Sequence, residues 1–172
     1  EYFFEISRSA GAPVQDERLF FHIPEDKRKA AEDFLAKQGV VKGDLLLGLN
    51  PGPAGTAKCW SAANFAALGD ILAEKLGAKV LLRGAPGDED LMIDIQQRMK
   101  TKSIVASPTG LQELAVLAEH CAVFVSNDTG PMHISVAAGT PNTMIYDRER
   151  RMIYTQTTLA TTTIQGDVTL TG

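Results

Sequence analysis

The sequence predicts an α/β protein, a Rossmann-like three-layer sandwich in which helices cover both faces of a parallel sheet. Short apolar, β-branched runs alternate repeatedly with stretches of helical periodicity. The runs at 44–49 and 122–125 are apolar on both faces, as expected for buried parallel strands. Glycine, proline and polar residues follow these runs, at the edge where open parallel sheets bind ligands.

Composition excludes several classes of function. The 172 residues suffice for one domain with a real core, and 44% hydrophobic with 22% charged residues is ordinary for a soluble globular protein. A net charge of −4 gives no support for a nucleic-acid partner. Two cysteines make no disulfide framework, no apolar run approaches the ~18 residues of a transmembrane segment, and no signal peptide is apparent. We therefore expect a cytoplasmic protein.

Patterns of common cofactor, metal and hydrolase sites are missing from the sequence. No G-x-G-x-x-G fingerprint indicates nicotinamide or flavin binding. No histidine, cysteine and carboxylate cluster has metal-ligand spacing, and no G-x-S-x-G elbow occurs. We expect no covalently bound cofactor.

Periodicity and capping signals define the predicted elements. Helices are predicted over 25–38, 61–76, 88–99, 109–119 and 132–138, and strands over 19–23, 44–49, 78–82, 104–106, 122–125 and 143–146. Ser61 and Asp88 are expected to cap their helices, and Thr109 with Gln112 fits a capping box. The threonine-rich residues 155–172 permit an edge strand.

The joint between the strand at 122–125 and the following helix has the features of an anion site. Pro131 supplies a helical φ near the first helical position, and Asp128 or Thr129 is placed to cap the helix. Gly130 carries no side chain where a ligand must approach the backbone. Unpaired N–H groups and the positive end of the helix dipole favour an anion there, most often a phosphate.

Two side chains at this joint suggest that a sugar lies beside the anion. Asp128 would repel a phosphate placed directly on it, so we expect its carboxylate to accept hydrogen bonds from hydroxyl groups. His133 lies in the first helical turn and reaches the same place. A well-capped connection with a structural histidine fits these residues equally, and their spacing alone does not decide.

The loop after the strand at 44–49 is a second candidate. Its spacing differs from that of a P-loop, but Gly52 allows a tight turn, Thr56 offers a hydroxyl and Lys58 a point charge to a phosphate. A plain exposed lysine is the alternative for Lys58. Glu89, in the first turn of a later helix, is either a partner of the helix dipole or an acceptor of ribose hydroxyls.

These motifs resemble glycosyltransferase family 9, the lipopolysaccharide heptosyltransferases. The C-terminal, donor-binding half of that family carries a signature close to Asp-Thr/Ser-Gly-Pro-x-His followed by Ala-Ala-x-Gly-Thr-Pro, which stands here at 128–133 and 137–141. Asn-Pro-Gly at 50–52 and Lys-Cys-Trp at 58–60 are similar to its Pro-Gly-(Ala/Ser) and Lys-x-Trp-Pro segment. The likeness runs in register over residues 2–146.

The resemblance implies one half of a GT-B glycosyltransferase. Residues 1–24 would be an inter-domain connecting segment, and 25–172 a nucleotide-sugar-binding domain truncated at both ends. The implied donor is a nucleotide diphosphate sugar, ADP-heptose, and the implied acceptor is a lipid-linked lipopolysaccharide core at the inner membrane. The implied donor-binding residues are Lys58, Asp128, Thr129, Gly130, Pro131 and His133, with weaker candidates at Gly52, Thr56 and Glu89.

The resemblance also sets limits on what this chain does. The family's acceptor-activating base belongs to the other half, so we expect no catalytic residue and no transfer by this chain alone. The family's acidic residue near Glu89 falls slightly earlier, where this chain has Pro86 or Gly87. Two rival hypotheses remain: a GT-B enzyme that uses another nucleotide sugar (a UDP-sugar transferase or epimerase), and a non-catalytic module that binds only nucleotide or a protein partner.

Overall fold

The computed structural model describes residues 2–12, 20–52, 60–106, 109–127, 129–146, 152–157 and 160–162. The helices are α1 (Tyr2–Ser9), α2 (Glu25–Lys37), α3 (Ala62–Leu76), α4 (Glu89–Arg98), α5 (Leu111–Glu119) and α6 (Gly130–Ala137). The strands are β1 (Leu46–Asn50), β2 (Lys79–Arg83), β3 (Ser103–Ala106), β4 (Val123–Asn127), β5 (Asn142–Tyr146), β6 (Met152–Thr157) and β7 (Ala160–Thr162).

The described strands form one seven-stranded sheet in the order β3-β2-β1-β4-β5-β6-β7. The first five strands in that order are parallel, and helices connect them. β6 and β7 extend the sheet in antiparallel pairs, so the threonine-rich tail does supply an edge strand. The predicted Rossmann-like sandwich is confirmed.

Helices cover both faces of the sheet, and each face has its own core. One cluster joins α2 and α5 to Leu46, Leu81 and Phe124. The other joins α3 and α4 to inward side chains of β1, β2 and β4, such as Leu82 and Val125. Neighbouring strand residues therefore point to opposite layers, as the two-residue period of a strand requires.

Capping signals explain some helix ends but not others. Ser61 Oγ accepts a hydrogen bond from the Asn64 N–H at 3.2 Å, as predicted, and Gly77 closes α3 at φ 63°. Asp88 occupies the predicted N-cap position of α4, but its side chain makes no cap bond, and its carboxylate accepts from the Ala85 N–H at 2.9 Å. The capping box predicted at Thr109 is wrong, because α5 begins after Gly110.

Two other predicted features differ. Residues 20–24 form no strand, so the strand predicted over 19–23 is wrong within the described part. β1 and β4 continue to Asn50 and Asn127, into residues predicted as turn.

Ion pairs join α2 to α5, since Lys27 and Arg28 pair with carboxylates of α5. Within the described ranges no helix is long and apolar enough to cross a bilayer. The division of the chain after residue 24 stays a prediction.

Candidate donor-binding site

The candidate site lies where the strand order reverses. β1 pairs with β2 on one side and with β4 on the other, and the helices that leave β1 and β4 lie on opposite faces of the sheet. In open α/β sheets such a reversal forms a crevice outside the carboxyl ends of the two strands, and ligands bind there. Asn50 and Ser126 pair there, at the ends of the two strands, and Gly52 and Thr129 lie close together just beyond them.

A row of four polar side chains crosses the carboxyl edge on the face covered by α5 and α6. We call Arg83, Asn50, Ser126 and Thr129 the polar row. Asn50 Nδ2 donates to Ser126 Oγ at 3.2 Å and lies 3.5 Å from Thr129 Oγ1, and the two hydroxyl oxygens are 3.2 Å apart. Asn50 Oδ1 accepts from Arg83 Nη1 at 3.2 Å. The row thus links β2, β1 and β4 to the start of α6.

Arg83 forms the buried end of the polar row and is only 2% exposed. Its Nε donates to Thr109 Oγ1 and its Nη2 to the Thr109 carbonyl, each at 3.0 Å. No ion pair joins Arg83 to a carboxylate in the described part of the chain. Burial lowers the pKa of the guanidinium, while the carboxylate of Asp88 acts in the opposite direction. A charged arginine here is held by neutral oxygen acceptors.

Asn127 lies on the opposite face of β4 and clamps the loop after β1. Its Nδ2 donates to the Pro51 carbonyl, and its Oδ1 accepts from the Trp60 N–H at 3.2 Å. These two contacts hold the described ends on either side of residues 53–59. The side chain, 2% exposed, therefore fixes both attachment points of the segment that carries Lys58.

Gly52 brings the same loop against the start of α6. It has φ +66°, in the left-handed region that favours glycine, and a Cβ added there would lie 3.0 Å from Thr129 Cγ2. Its closeness to Thr129 was not visible in the sequence, because the two residues are far apart along the chain.

The N-terminus of α6 presents free backbone donors beside this loop. Pro131 is in the first helical turn as predicted and has no N–H. The N–H groups of Thr129 and Gly130 have no hydrogen-bond acceptor among the described residues. Gly130 is exposed, and a Cβ added there would meet nothing within 4 Å. The described side chains thus leave this corner open to an anion.

The Gly-Thr-Pro segment at 139–141, which ends the family signature, has a structural role. Gly139 ends α6 at φ +81°. The hydroxyl of buried Thr140 donates to the Ala118 carbonyl at 2.7 Å, which ties this turn to α5. The Pro141 carbonyl accepts from the Phe124 N–H at 2.9 Å. The Gly-Thr-Pro segment therefore positions α6 and does not line the crevice.

The sequence-predicted site residues have different outcomes. Of the two predicted caps of α6, Thr129 occupies the N-cap position, but its hydroxyl makes no cap bond and contacts Ser126 Oγ. His133 is exposed in the first turn of α6. Glu89 accepts from the Gly87 N–H at 2.9 Å, and no described contact joins it to the β1–β4 corner. Lys58, Thr56 and Asp128 lie outside the described residues.

Several residues that build the corner are not among the site residues that the sequence predicts. Arg83, Asn50, Ser126 and Asn127 are each at most 2% exposed, although all are polar. Their one sequence signal is position, because each stands at the carboxyl end of an apolar run. In the described ranges no group of three or more histidine, cysteine or acidic side chains is arranged to hold a metal ion.

A family model identifies the chain's relatives. The model described as glycosyltransferase family 9 (heptosyltransferase) matches residues 2–165. The chain belongs to glycosyltransferase family 9. The resemblance drawn from the motifs at 50–60 and 128–141 is thereby confirmed, and the match extends past both motifs.

Individual members of family 9 agree with this assignment. Lipooligosaccharide heptosyltransferase 2 of Campylobacter jejuni is 34% identical over 140 residues, which cover 78% of this chain and 41% of the relative. A family 9 crystal structure from Veillonella parvula superposes with a TM-score of 0.76 at 31% identity, covering 84% of this chain and 42% of that one. The chain thus spans about two fifths of the length of these relatives.

A third comparison concerns the fold. Escherichia coli heptosyltransferase WaaC, solved with ADP-2-deoxy-2-fluoro heptose, superposes with a TM-score of 0.56 at 22% identity. The match covers 81% of this chain and 42% of the WaaC chain. The same sandwich therefore occurs in a heptosyltransferase of known structure.

Proposed function

We propose that this chain is the donor-binding half of a GT-B glycosyltransferase of family 9. In this proposal it binds a nucleotide diphosphate sugar, ADP-heptose, and the whole protein transfers heptose to a lipopolysaccharide core acceptor at the cytoplasmic face of the inner membrane. Family membership and the names of the relatives support the reaction class. The ligand of the Escherichia coli neighbour supports an ADP-linked donor.

One observation carries the proposal. At the strand-order reversal, the unpaired N–H groups of Thr129 and Gly130 lie beside a loop that Gly52 allows to approach closely. Such a helix N-terminus offers directed donors and a positive dipole end to a diphosphate. These donors suit a nucleotide sugar, because the diphosphate carries its negative charge.

The reaction is a displacement at the anomeric carbon of the donor. The acceptor oxygen forms the new bond to that carbon, the bond to the diphosphate oxygen breaks, and the nucleoside diphosphate leaves with the electron pair. Charge then grows on the leaving diphosphate, and preorganised donors stabilise it. We assign this task to the N–H groups of Thr129 and Gly130 and to Lys58, whose loop Asn127 anchors at both described ends.

The remaining roles concern the sugar and the acceptor. Asp128 and His133 would hold hydroxyl groups of the donor sugar near the reacting carbon, and Glu89 or Thr56 would make secondary contacts with ribose or phosphate. The base that deprotonates the acceptor belongs to the other half in this family. We therefore expect donor binding without transfer from the 172 residues alone.

Calorimetry with the purified chain tests the donor class. We expect ADP-heptose and ADP to bind, and UDP and UDP-glucose to bind at least about tenfold more weakly, since a site built to pair one set of base hydrogen bonds leaves them unmade with another base. Tighter binding of UDP-sugars would support the rival GT-B enzyme. Binding of none of them would contradict the donor-site proposal.

Two variants test the assigned residues. Lys58→Ala and Asp128→Ala should each weaken ADP-heptose binding about tenfold or more, because hydrogen bonds to charged groups contribute roughly 1.5–3 kcal/mol. Lys42→Ala is a matched control, since Lys42 is exposed just before β1, at the opposite edge of the sheet. Unchanged affinity in both site variants, with the fold intact by circular dichroism, would favour a non-catalytic module.

A further inference from the structure

Arg83 is the one buried cation in the described part of the chain. It stands at the carboxyl end of β2, one strand away from the β1–β4 crevice. Leu49 pairs with Leu82, so Arg83 and Asn50 are the next residues along their strands and occupy neighbouring positions. The guanidinium thus reaches the crevice through one amide group.

The hydrogen bonds of Arg83 pair its N–H donors but do not neutralise its charge. All three acceptors are neutral oxygens, two on Thr109 and one on Asn50. Asp88, the nearby carboxylate, is engaged with the Ala85 N–H and makes no ion pair with the guanidinium. Among the described residues the charge of Arg83 is thus offset only at a distance, by Asp88, and an anion that comes closer stabilises it further.

The polar row leads from Arg83 to Thr129, at the start of α6. Because Asn50 Oδ1 accepts from Arg83, the orientation of its amide is fixed, and Nδ2 must face Ser126 and Thr129. Thr129 is the residue whose N–H lies free at the start of α6. The charge of Arg83 and its hydrogen bond to Asn50 therefore both act on the start of α6, at Thr129.

We propose that Arg83 is a positioning residue for the donor diphosphate: its buried charge favours an anion at the Thr129 end of the polar row, and its bond to Asn50 holds that end in place. The inference rests on the proposed function and adds a residue to it. Arg83 does not touch the donor in this scheme. It acts through Asn50 and through the field of its charge.

The test compares ADP with adenosine, since the two ligands differ only in the diphosphate. With Arg83→Gln we expect ADP affinity to fall about tenfold, the effect of one unit charge about two strand spacings away at an effective dielectric constant near 20. Adenosine affinity should change by less than about twofold, because a neutral ligand does not respond to that charge. Arg83→Lys, which keeps the charge, should restore most of the ADP affinity.

Arg98→Gln is the matched control. Arg98 lies exposed on α4, where it pairs with Asp94 on the same helix, so its loss changes the net charge equally without touching the crevice. We expect its affinities for both ligands to equal those of the wild type. If Arg83→Gln fails to fold, Thr109→Asp sets a carboxylate against the same guanidinium from the β3 side. Thr109→Asp should weaken ADP binding selectively, whereas neutral Thr109→Asn should not.

Two results would overturn the inference. Unchanged ADP affinity in a folded Arg83→Gln variant would leave the donor site standing but remove Arg83 from it. Equal losses for ADP and adenosine, not rescued by Arg83→Lys, would show that the guanidinium only supports the fold. A wild-type chain that does not bind ADP would instead refute the proposed function, and this role with it.

Discussion

Replacing Gly52 by alanine tests how closely the loop after β1 must approach the start of α6. Gly52 has φ +66°, and the new Cβ would lie 3.0 Å from Thr129 Cγ2, closer than ordinary van der Waals contact. The variant therefore has two unfavourable features, a strained backbone at residue 52 and a close contact with Thr129. Only the contact with Thr129 should affect ADP binding at the start of α6.

The backbone penalty can be estimated separately. A left-handed conformation costs an L-residue about 1–2 kcal/mol, which corresponds to a melting temperature lowered by roughly 2–8 °C for a chain of this size. Gly77→Ala is the matched control, because Gly77 has φ +63° and a Cβ added there would meet nothing within 4 Å. It carries the same backbone strain at the far end of α3.

Thermal unfolding and ADP calorimetry on both variants separate the two penalties. We expect Gly77→Ala to lower the melting temperature and to leave ADP affinity unchanged. Gly52→Ala should lower the melting temperature at least as much, and it should weaken ADP binding because Thr129 must shift. Equal melting temperatures together with wild-type ADP affinity for Gly52→Ala would refute the close approach as a requirement of the site.

Three further predictions concern the core, a buried carboxylate and the loop clamp. Gly48→Ala places a Cβ 2.4 Å from the Phe124 ring, so denaturant unfolding should reveal a loss of about 1–3 kcal/mol or no folded protein; wild-type stability would contradict this packing. Burial raises the pKa of Asp70, but hydrogen bonds from the turn after α4 outweigh it, so the pKa is lowered. Asp70 should therefore stabilise the fold above its unfolded pKa of 3.8, and this stabilisation should be lost as pH falls through the folded pKa. Asp70→Asn should flatten the acidic part of the curve of unfolding free energy against pH, and an unaltered curve would count against this role. Asn127→Ala should weaken ADP binding at least about tenfold by freeing the loop that carries Lys58, and equal calorimetric affinity would exclude the clamp.

The order of the elements could be predicted because it depends on local periodicity. Apolar runs and helical stripes recur along the chain, and β1 and β4 lie where apolar residues predicted them. Their ends could not be predicted in the same way. Asn50 and Asn127 look like turn residues, but distant partners satisfy their amides, so they stay inside the sheet. Side chains of β2 and β4 pair with the amide of Asn50, and backbone groups of Pro51 and Trp60 pair with that of Asn127.

Tertiary contacts also override the short-range capping signals. Thr109 stands three residues before a glutamine, as in a capping box, but its hydroxyl accepts from Arg83. Thr129 sits at the N-cap of α6, and its hydroxyl instead contacts Ser126 and lies 3.5 Å from Asn50 Nδ2. In both cases a strand side chain distant in sequence, Arg83 or Asn50, contacts the oxygen that a local rule assigns to the helix.

The candidate site was predictable in location but not in composition. A glycine and proline joint after a buried strand indicated the α6 corner, because it depends on the backbone alone. The buried end of the polar row was not predictable. An arginine after an apolar strand is ordinarily exposed, and only the neighbouring Thr109 and Asn50 make burial of Arg83 acceptable.

A crystal structure of the chain with ADP tests the central claim most directly. Our account predicts diphosphate density at the carboxyl ends of β1 and β4, with phosphate oxygens within about 3 Å of the N–H groups of Thr129 and Gly130. ADP bound elsewhere on the chain, or a diphosphate turned away from the start of α6 with both N–H groups left to solvent, would contradict it.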